Sequence, residues 1–259
     1  MKKPAFHIIG ALIISLSLIS AGFAYVLSAE QMLGPFLKAY RDFHSVRIDM
    51  ETTIYGDLYD EKRGREQLLI KEGGLFRSER QFPQGDTVLV QDGRRAVTLG
   101  VETLRSGARR IETVFPTIFF QKSVVDLLNA LAFLGVDIQT VGIDRIDRKI
   151  VFTIGRNLAE GPGSQLWIEK ERRIPLRFVG VGISGGETVV LRAEYLDYRQ
   201  TNEDFWFPAR IEYYSNDTLS AVSILRNISV NENLSETLFE IPDGGMAGSP
   251  VTDFLNIKE

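Results

Sequence analysis

The side chains that could support catalysis are few in this 259-residue sequence, and their spacing matches no reaction centre. His44 is the only histidine after the N-terminal segment, and it lies between a helical and a strand-like pattern, where a half-exposed structural residue is typical. Gly180-x-Gly182 with Gly185-Gly186 resembles a glycine-rich loop. No helical pattern follows it, so a phosphate bound there would meet no helix N-terminus. These residues therefore predict no nucleotide site and no histidine-based chemistry.

Carboxylates are plentiful, and a pair of them could in principle hydrolyse a glycosidic bond. Asp144, Asp147 and Glu169 are the residues that could serve. Most such residues lie at strand ends or alternate outward, where a solvated charge is the simpler interpretation. The sequence therefore favours a binding protein over an enzyme, and a hydrolase is the remote alternative.

Composition excludes several further classes of protein. The chain has no cysteine and two histidines, which argues against disulfides, thiolate zinc sites and histidine-rich metal sites. Its hydrophobic content of 44% and net charge of −4 are unlike a disordered chain, and a pI near 5.4 is unlike a nucleic-acid-binding protein. We predict no cofactor, no metal and no nucleic-acid partner, and we expect a monomer.

The first 29 residues form a separate segment. Lys2 and Lys3 precede an uncharged stretch from Ile8 to Leu27, and small residues near its end could be cleaved. This pattern is typical of a secretory signal peptide. An uncleaved membrane anchor is the alternative, because about twenty apolar residues can span a bilayer. Either interpretation places the rest of the chain outside the cytoplasm.

Beyond this segment the periodicity indicates a mainly β (α+β) fold. Ser28 and Gln31 match a capping box, and apolar residues from Met32 to Tyr40 recur at helical spacing. From Ser45 onward the period is two, and short turns separate strand-like runs, which indicates antiparallel neighbours in one long curved sheet or open barrel. The predicted strands after the first are Glu66–Lys71, Leu75–Gln81, Thr87–Gln91, Arg95–Leu99, Lys149–Gly155, Gln165–Glu169, Pro175–Val181, Thr188–Arg199, Trp206–Tyr214 and Leu219–Val230.

One apolar segment interrupts the strands. Ser123 can cap a helix that Gly135 ends, and only Asp126 and Asn129 are clearly polar between them. A helix that is apolar on nearly every face is expected to be buried on more than one side. It is either a core helix packed on the sheet or a lid over an apolar cavity, and both interpretations need the same residues.

Six stretches between residues 36 and 244 carry weak local patterns that gain meaning from their order. They are Phe36–Val46, Leu69–Arg77, Val88–Arg94, Leu166–Glu169 with Ile174–Arg177, Asp197–Arg199 with Trp206–Ile211, and Phe239–Gly244. Taken together they resemble the LolA/LolB lipoprotein-carrier superfamily, which also includes the MucB/RseB-type periplasmic sensors. The resemblance spans most of residues 30–244.

The resemblance implies a long curved antiparallel sheet that forms a half-barrel, covered by an N-terminal helix and an inserted apolar helix. It implies one domain at residues 30–244, after a signal peptide or anchor at 1–29 and before a flexible tail at 245–259. Carriers of this superfamily typically place an arginine-proline pair in the hairpin between strands two and three, where the arginine helps to lock a closed lid. This chain has Glu72-Gly73 there.

The function that the resemblance implies is that of a periplasmic carrier or chaperone. It would bind acyl chains of lipoproteins, or another amphiphile, in a hydrophobic cavity and transfer them towards the outer membrane. The alternative is an RseB-like envelope sensor or scaffold that binds a protein of the inner or outer membrane. An uncleaved anchor in the inner membrane would favour that alternative.

Alternation along the strands predicts which side chains line the concave face of such a half-barrel. Their outward neighbours are Arg47, Asp49, Glu51, Ser223 and Asn227. Each predicted lining or lid residue could also be ordinary core. The predicted lining is Ile48, Met50, Ile54, Phe207, Ile211, Tyr213, Val222, Ile224 and Ile228. The predicted lid residues are Leu127, Leu128, Leu131, Phe133 and Leu134.

Overall fold

A computed structural model describes most of the chain between residues 27 and 241. The described residues are 27–56, 61–92, 96–100, 114–157, 159, 161, 163–184, 187–201 and 204–241. The predicted signal segment up to residue 26 and the predicted tail from residue 245 lie outside them. None of the helices in the described ranges is long and apolar enough to cross a membrane.

The described helices are α1 (Ala29–Ala39), α2 (residues 114–119), α3 (Val124–Phe133) and a closing 3-10 helix (Glu236–Phe239). The predicted capping box of α1 is confirmed. Gln31 N donates to Ser28 Oγ at 3.3 Å, and Ser28 N donates to Gln31 Oε1 at 2.9 Å. One face of α1 is buried, as the helical spacing predicted.

Five of the described strands lie between α1 and α2, and the other nine lie between α3 and the closing 3-10 helix. They are β1 (Ser45–Tyr55), β2 (Glu61–Lys71), β3 (Leu75–Phe82), β4 (Gly85–Asp92), β5 (Ala96–Gly100), β6 (Val141–Ile146), β7 (Lys149–Gly155), β8 (Gln165–Glu169), β9 (Pro175–Ser184), β10 (Glu187–Leu196), β11 (Arg199–Gln200), β12 (Trp206–Phe207), β13 (Arg210–Ser215) and β14 (Thr218–Val230).

Twelve of these described strands form one antiparallel sheet in the order β5-β4-β3-β2-β1-β14-β13-β10-β9-β8-β7-β6. The sheet is curved and does not close into a barrel, so the predicted half-barrel is confirmed. Strands β11 and β12 form a separate small hairpin. Strand β6 was not predicted, and the predicted run Trp206–Tyr214 is divided between β12 and β13.

The main hydrophobic core lies between the concave face of the sheet and the three helices. Aromatic rings from the helices and from the β12 segment meet there. Phe36 of α1 contacts Phe119 of α2 edge-on, with ring centroids 5.8 Å apart. Phe119 also stacks on Phe207 at 6.2 Å. Tyr40 packs edge-on against Phe207 at 5.7 Å and donates its hydroxyl to the carbonyl of Trp206.

The backbone at the end of β7 has a conformation that only glycine adopts without strain. Gly155 has a φ of 108°, and a Cβ built there would lie 2.1 Å from the carbonyl oxygen of Ser164. Gly34 in α1 is the natural contrast, because a Cβ there would meet nothing within 4 Å.

We predict opposite effects for alanine at these two glycines. Gly155→Ala should lower the free energy of unfolding by about 2 kcal/mol or more through backbone strain. Gly34→Ala should raise it by about 0.5–1 kcal/mol, because alanine loses less conformational entropy in a helix. Urea unfolding monitored by circular dichroism measures both. An unchanged midpoint for Gly155→Ala would contradict the described geometry of β7.

Candidate functional site

The structure brings seven of the nine predicted lining residues together in the main core, six of them on strands of the large sheet and Phe207 on the separate β12 hairpin. Five of them are buried members of the main core, and two are partly buried against it. The buried five are Ile48, Met50, Phe207, Ile211 and Tyr213. The partly buried two are Ile54 and Ile228.

The prediction is wrong for Val222 and Ile224, which lie on the other face of the sheet. Val222 pairs with Thr53 of β1, and Ile224 pairs with the exposed Glu51. Directly opposed residues in an antiparallel pair share a face. Val222 and Ile224 therefore point away from the face that carries Ile48.

A β-bulge in β14 explains the error. The register passes from Met50 opposite Leu225 to Asp49 opposite Asn227, which leaves Arg226 as an extra residue. One extra residue reverses the alternation on either side of it. Core positions are therefore odd-numbered before the bulge and even-numbered after it, which is why Ile228 was placed correctly.

Polar side chains occupy one end of the concave face. Ser223 was predicted to point outward, but it is buried, and its hydroxyl lies 2.8 Å from that of Thr52. Glu66 of β2 is buried and lies opposite Met50 of β1. Its carboxylate accepts from the Ser78 hydroxyl at 2.6 Å and pairs with Arg80 at 3.0 Å. The concave face is therefore amphipathic, with apolar residues under the helices and a polar, charge-paired end.

An open cleft of about 400 Å³ reaches the concave face where β14 extends beyond β13. Its volume lies at the lower end of the range for small-molecule pockets. Its wall combines apolar side chains of β14 with polar residues of the β11 segment. The apolar members are Leu225, Ile228 and Val230, and the polar ones include Arg199, Gln200 and Thr201.

Helix α3 lies on the concave face by one side only. Leu127 and Leu131 are fully buried, Leu134 is buried at the C-terminal end, and Leu128 packs partly against the core. Phe133 keeps 42% of its surface exposed. The expectation that this helix is buried on more than one side is therefore wrong, and Phe133 does not lie on the inner side with the leucines.

The N-terminal end of α3 is fixed by local capping. Ser123 Oγ accepts from Asp126 N at 3.0 Å, which confirms the predicted cap. The outer side of the helix exposes Val125, of which 63% is accessible. Helix α3 therefore has a locally capped start, a buried apolar side and an exposed side.

A polar cluster joins Lys122, two residues before α3 begins, to the start of the sheet. Lys122 Nζ lies 3.7 Å from Glu72 Oε2 and donates to the carbonyl of Phe43. His44 Nδ1 donates to the same carboxylate oxygen at 2.8 Å. The hydrogen bond from His44, and then the charge of Lys122, lower the pKa of Glu72. We call Glu72, His44 and Lys122 the α3 latch.

The carboxylates that could have served a hydrolase are engaged in structural contacts. Asp144 of β6 and Glu169 of β8 lie on either side of Val151 of β7, on the same face of the sheet. The Glu169 carboxylate pairs with Arg172 at 2.7 Å, and the Asp144 carboxylate accepts from the backbone of Arg145. Asp147 lies exposed in the turn between β6 and β7.

A Gly-x-Ser-x-Gly pattern from Gly182 to Gly186 was missed by sequence reasoning, and the fold explains it without chemistry. Ser184 ends β9 and pairs with Glu187, which begins β10. A nucleophile elbow is a turn from a strand into a helix, whereas this serine belongs to an antiparallel hairpin. Gly182 is thus part of strand β9.

No protein-family model and no curated protein matches the sequence. Solved structures do match, at 11% identity. A domain described as an outer membrane lipoprotein-sorting protein domain, from Vibrio parahaemolyticus, aligns with a TM-score of 0.50 over 81% of this chain and 94% of its own. This chain has the fold of that domain.

Two further structures align over similar lengths, also at 11% identity. A DUF1329 family protein from Desulfovibrio piger gives a TM-score of 0.51 and covers 82% of this chain and 95% of its own. A LolA superfamily protein from Nitrosomonas europaea gives 0.49 and covers 83% and 99%. The fold implied by the sequence resemblance is confirmed, and at this identity the likeness concerns the fold alone.

We predict that the inner side of α3 carries its packing energy. Leu131→Ala should lower the free energy of unfolding by about 2–5 kcal/mol, because it removes a fully buried side chain. Val125→Ala on the outer side should change it by less than about 0.5 kcal/mol. Urea unfolding of both variants measures the difference. Equal effects at the two positions would contradict the described orientation of α3.

Proposed function

We propose that this protein is an exported, periplasmic carrier that binds acyl chains of lipoproteins, or of another amphiphile, on the concave face of the half-barrel. It would then pass them towards the outer membrane. The observation that carries the proposal is an apolar concave face under a short, separately capped helix. Leu127 and Leu131 occupy the space that an acyl chain would take when α3 moves away.

The energy available from this exchange suits a carrier. Burial of an acyl chain stabilises by about 0.8 kcal/mol for each methylene. Roughly ten methylenes give about 8 kcal/mol, which corresponds to micromolar affinity before ordering costs. The incoming chain replaces leucine side chains that are also apolar. The net free energy of the exchange is therefore smaller than this gross value, which allows both binding and release. The cleft beside Ile228 supplies an opening through which a chain can enter.

The α3 latch supplies the control that the proposal needs. Glu72 lies in the hairpin between β2 and β3, at the position where the resemblance places the lid-locking arginine. Here the acid contacts Lys122, the second residue before α3 begins. We infer that the lock is retained with the charges exchanged, as a carboxylate on the sheet and a lysine next to the lid.

A second candidate function is a sensor or scaffold that binds a membrane-protein partner. The outer side of α3 favours it, because Val125 and Phe133 are exposed large hydrophobic residues on the cover itself. Such a protein would use α3 as a contact surface rather than as a lid. It would form a stable complex with that partner and would carry no stoichiometric lipid.

Native mass spectrometry with lipid extraction, on protein purified from its own cell envelope, separates these functions. A carrier should retain lipid or lipoprotein at near-stoichiometric amounts. Leu131→Asp, which places a charge on the inner side of α3, should abolish retention. Asn129→Asp adds the same charge on the exposed side and should retain the lipid.

The contrary outcomes are equally definite. Wild-type protein that is free of lipid after mild handling would overturn the carrier function. A co-purified membrane protein in its place would favour the scaffold. Circular dichroism of both aspartate variants shows whether a loss of lipid reflects unfolding. If Leu131→Asp does not fold, the lipid content of the wild-type protein still decides.

We predict that acid opens the α3 latch. The pKa of Glu72 is lowered in the folded protein, so its contribution is present above the ordinary glutamate pKa of about 4.3 and is lost as pH falls through the lowered value. The chain has no cysteine, so spin labels attach only at introduced cysteines. Asn129→Cys on α3 and Gln84→Cys in the β3–β4 turn report the distance between lid and sheet.

Pulsed spin-label distances should show a longer-distance population that grows as pH falls below the ordinary glutamate pKa and through the lowered pKa of Glu72. Glu72→Gln should show that population already at pH 7, because the neutral amide holds Lys122 less strongly. Its distances should then change little on acidification. An unchanged acid response in Glu72→Gln would show that another group controls the lid.

A further inference from the structure

One buried tyrosine differs from the others on the concave side of the sheet. Tyr195 of β10 is 1% exposed, and within the described part of the chain its hydroxyl has no hydrogen-bond partner. The hydroxyls of Tyr40 and Tyr198 donate to the carbonyls of Trp206 and Pro175. Buried polar groups are nearly always satisfied in folded proteins. The hydroxyl of Tyr195 therefore requires an explanation.

The surroundings of Tyr195 place its ring in the main core, between β10 and helix α2. Its ring packs edge-on against Phe119 at 5.6 Å and at a tilt of 42° against Phe115 at 6.2 Å, both on α2. It lies opposite Ile211, a predicted lining residue that the structure places on the concave face. Helix α3 begins five residues after α2 ends, and buried residues of both helices belong to the same core as Tyr195.

The chemistry of the hydroxyl defines what it can bind. Burial, and then the neighbouring charge of Glu194, raise the pKa of Tyr195, so it remains a neutral phenol that can donate one hydrogen bond. The buried rings beside it and the neighbouring charge of Glu194 disfavour a negatively charged acceptor, because burying an unpaired charge is costly. A neutral carbonyl is the acceptor that fits. An acyl chain carries such a carbonyl at its ester or amide link.

We propose that the Tyr195 hydroxyl donates a hydrogen bond to the ester or amide carbonyl of a bound acyl chain, so that the site selects acyl groups over hydrocarbon chains without a carbonyl. This inference rests on the proposed carrier function and specifies its ligand. In the closed form the unsatisfied hydroxyl disfavours closure, and in the loaded form the carbonyl satisfies it. Tyr195 thus acts as a specificity-determining residue.

The test compares two synthetic lipopeptides that differ only in whether their two hydrocarbon chains carry a carbonyl group. The first carries two palmitoyl esters, and the second carries two hexadecyl ethers of matched length on the same peptide. Wild-type protein should bind the ester form about five- to tenfold more tightly, as expected for one net hydrogen bond. Tyr195→Phe should bind both forms equally. Tyr214→Phe, which removes a hydroxyl bonded to Glu212, should keep the preference.

The urea unfolding midpoint distinguishes a ligand-binding hydroxyl from one that stabilises the free protein. Tyr195→Phe removes no hydrogen bond from the ligand-free protein, so its urea midpoint should equal or exceed that of the wild type. Tyr40→Phe loses a buried hydrogen bond and should have a lower midpoint. A lower midpoint for Tyr195→Phe would show that its hydroxyl is satisfied in the free protein and would overturn the inference.

The outcomes separate this inference from the function on which it rests. Binding of neither lipopeptide by the wild-type protein would overturn the carrier function together with this inference. Equal binding of both lipopeptides by the wild type would overturn the role of Tyr195 and support the carrier. An ester preference that persists in Tyr195→Phe would assign carbonyl recognition to another residue and would also overturn the inference.

Discussion

An antiparallel sheet that curves without closing has an apolar concave face that other elements must cover. The described helices of this molecule pack on that face. A closed barrel would fill its own interior with side chains from opposite strands. Here the described edge strands are β5 and β6, so the interior has to be filled from elsewhere. Helices α1, α2 and α3 supply that filling, and aromatic rings dominate it near Phe119 and Phe207.

The helices that fill the concave face differ in how they are anchored. Helix α1 buries one whole face and is held by a complete capping box, and Tyr40 just beyond it is tied to the β12 segment. Helix α3 contributes two fully buried leucines, and an exposed polar cluster holds its start. Exposed ion pairs contribute little stability, while their formation depends on solution conditions. The strong contacts of the cover are therefore apolar and the weaker ones polar, and under the proposed function it is the apolar contacts of α3 that a bound acyl chain would replace.

Much of this architecture could be predicted from the sequence, because local chemistry determines it. Ser28 and Ser123 cap their helices as predicted, and period-two alternation located most strands. Strand β6 escaped prediction because it is an edge strand whose residues are mostly exposed, so alternation is weak there. Val222 and Ile224 were misplaced because a bulge changes the phase of alternation without a composition signal.

The chemical details of the site depend on long-range pairing and could not be predicted. Tyr195 and Tyr213 both alternate inward on strands, and only the three-dimensional surroundings show that the Tyr195 hydroxyl lacks a described partner. The contact between Glu72 and Lys122 joins residues fifty positions apart. The resemblance drew attention to Glu72, but its partner followed only from the fold. Phe133 was assigned inward from composition alone, which does not fix the rotation of a helix.

The central position of β14 determines when the two halves of the sheet can pair during folding. The strand pairs Val46 with Val230, so the first and the last strands of the large sheet are neighbours at its centre. Strands β1 to β5 and strands β6 to β10 can each form hairpins while the chain emerges, but nothing joins the two halves until β13 and β14 arrive. Such distant pairing makes folding slow. A chain delivered across a membrane from its N-terminus would therefore hold two half-sheets with exposed edges until translocation ends.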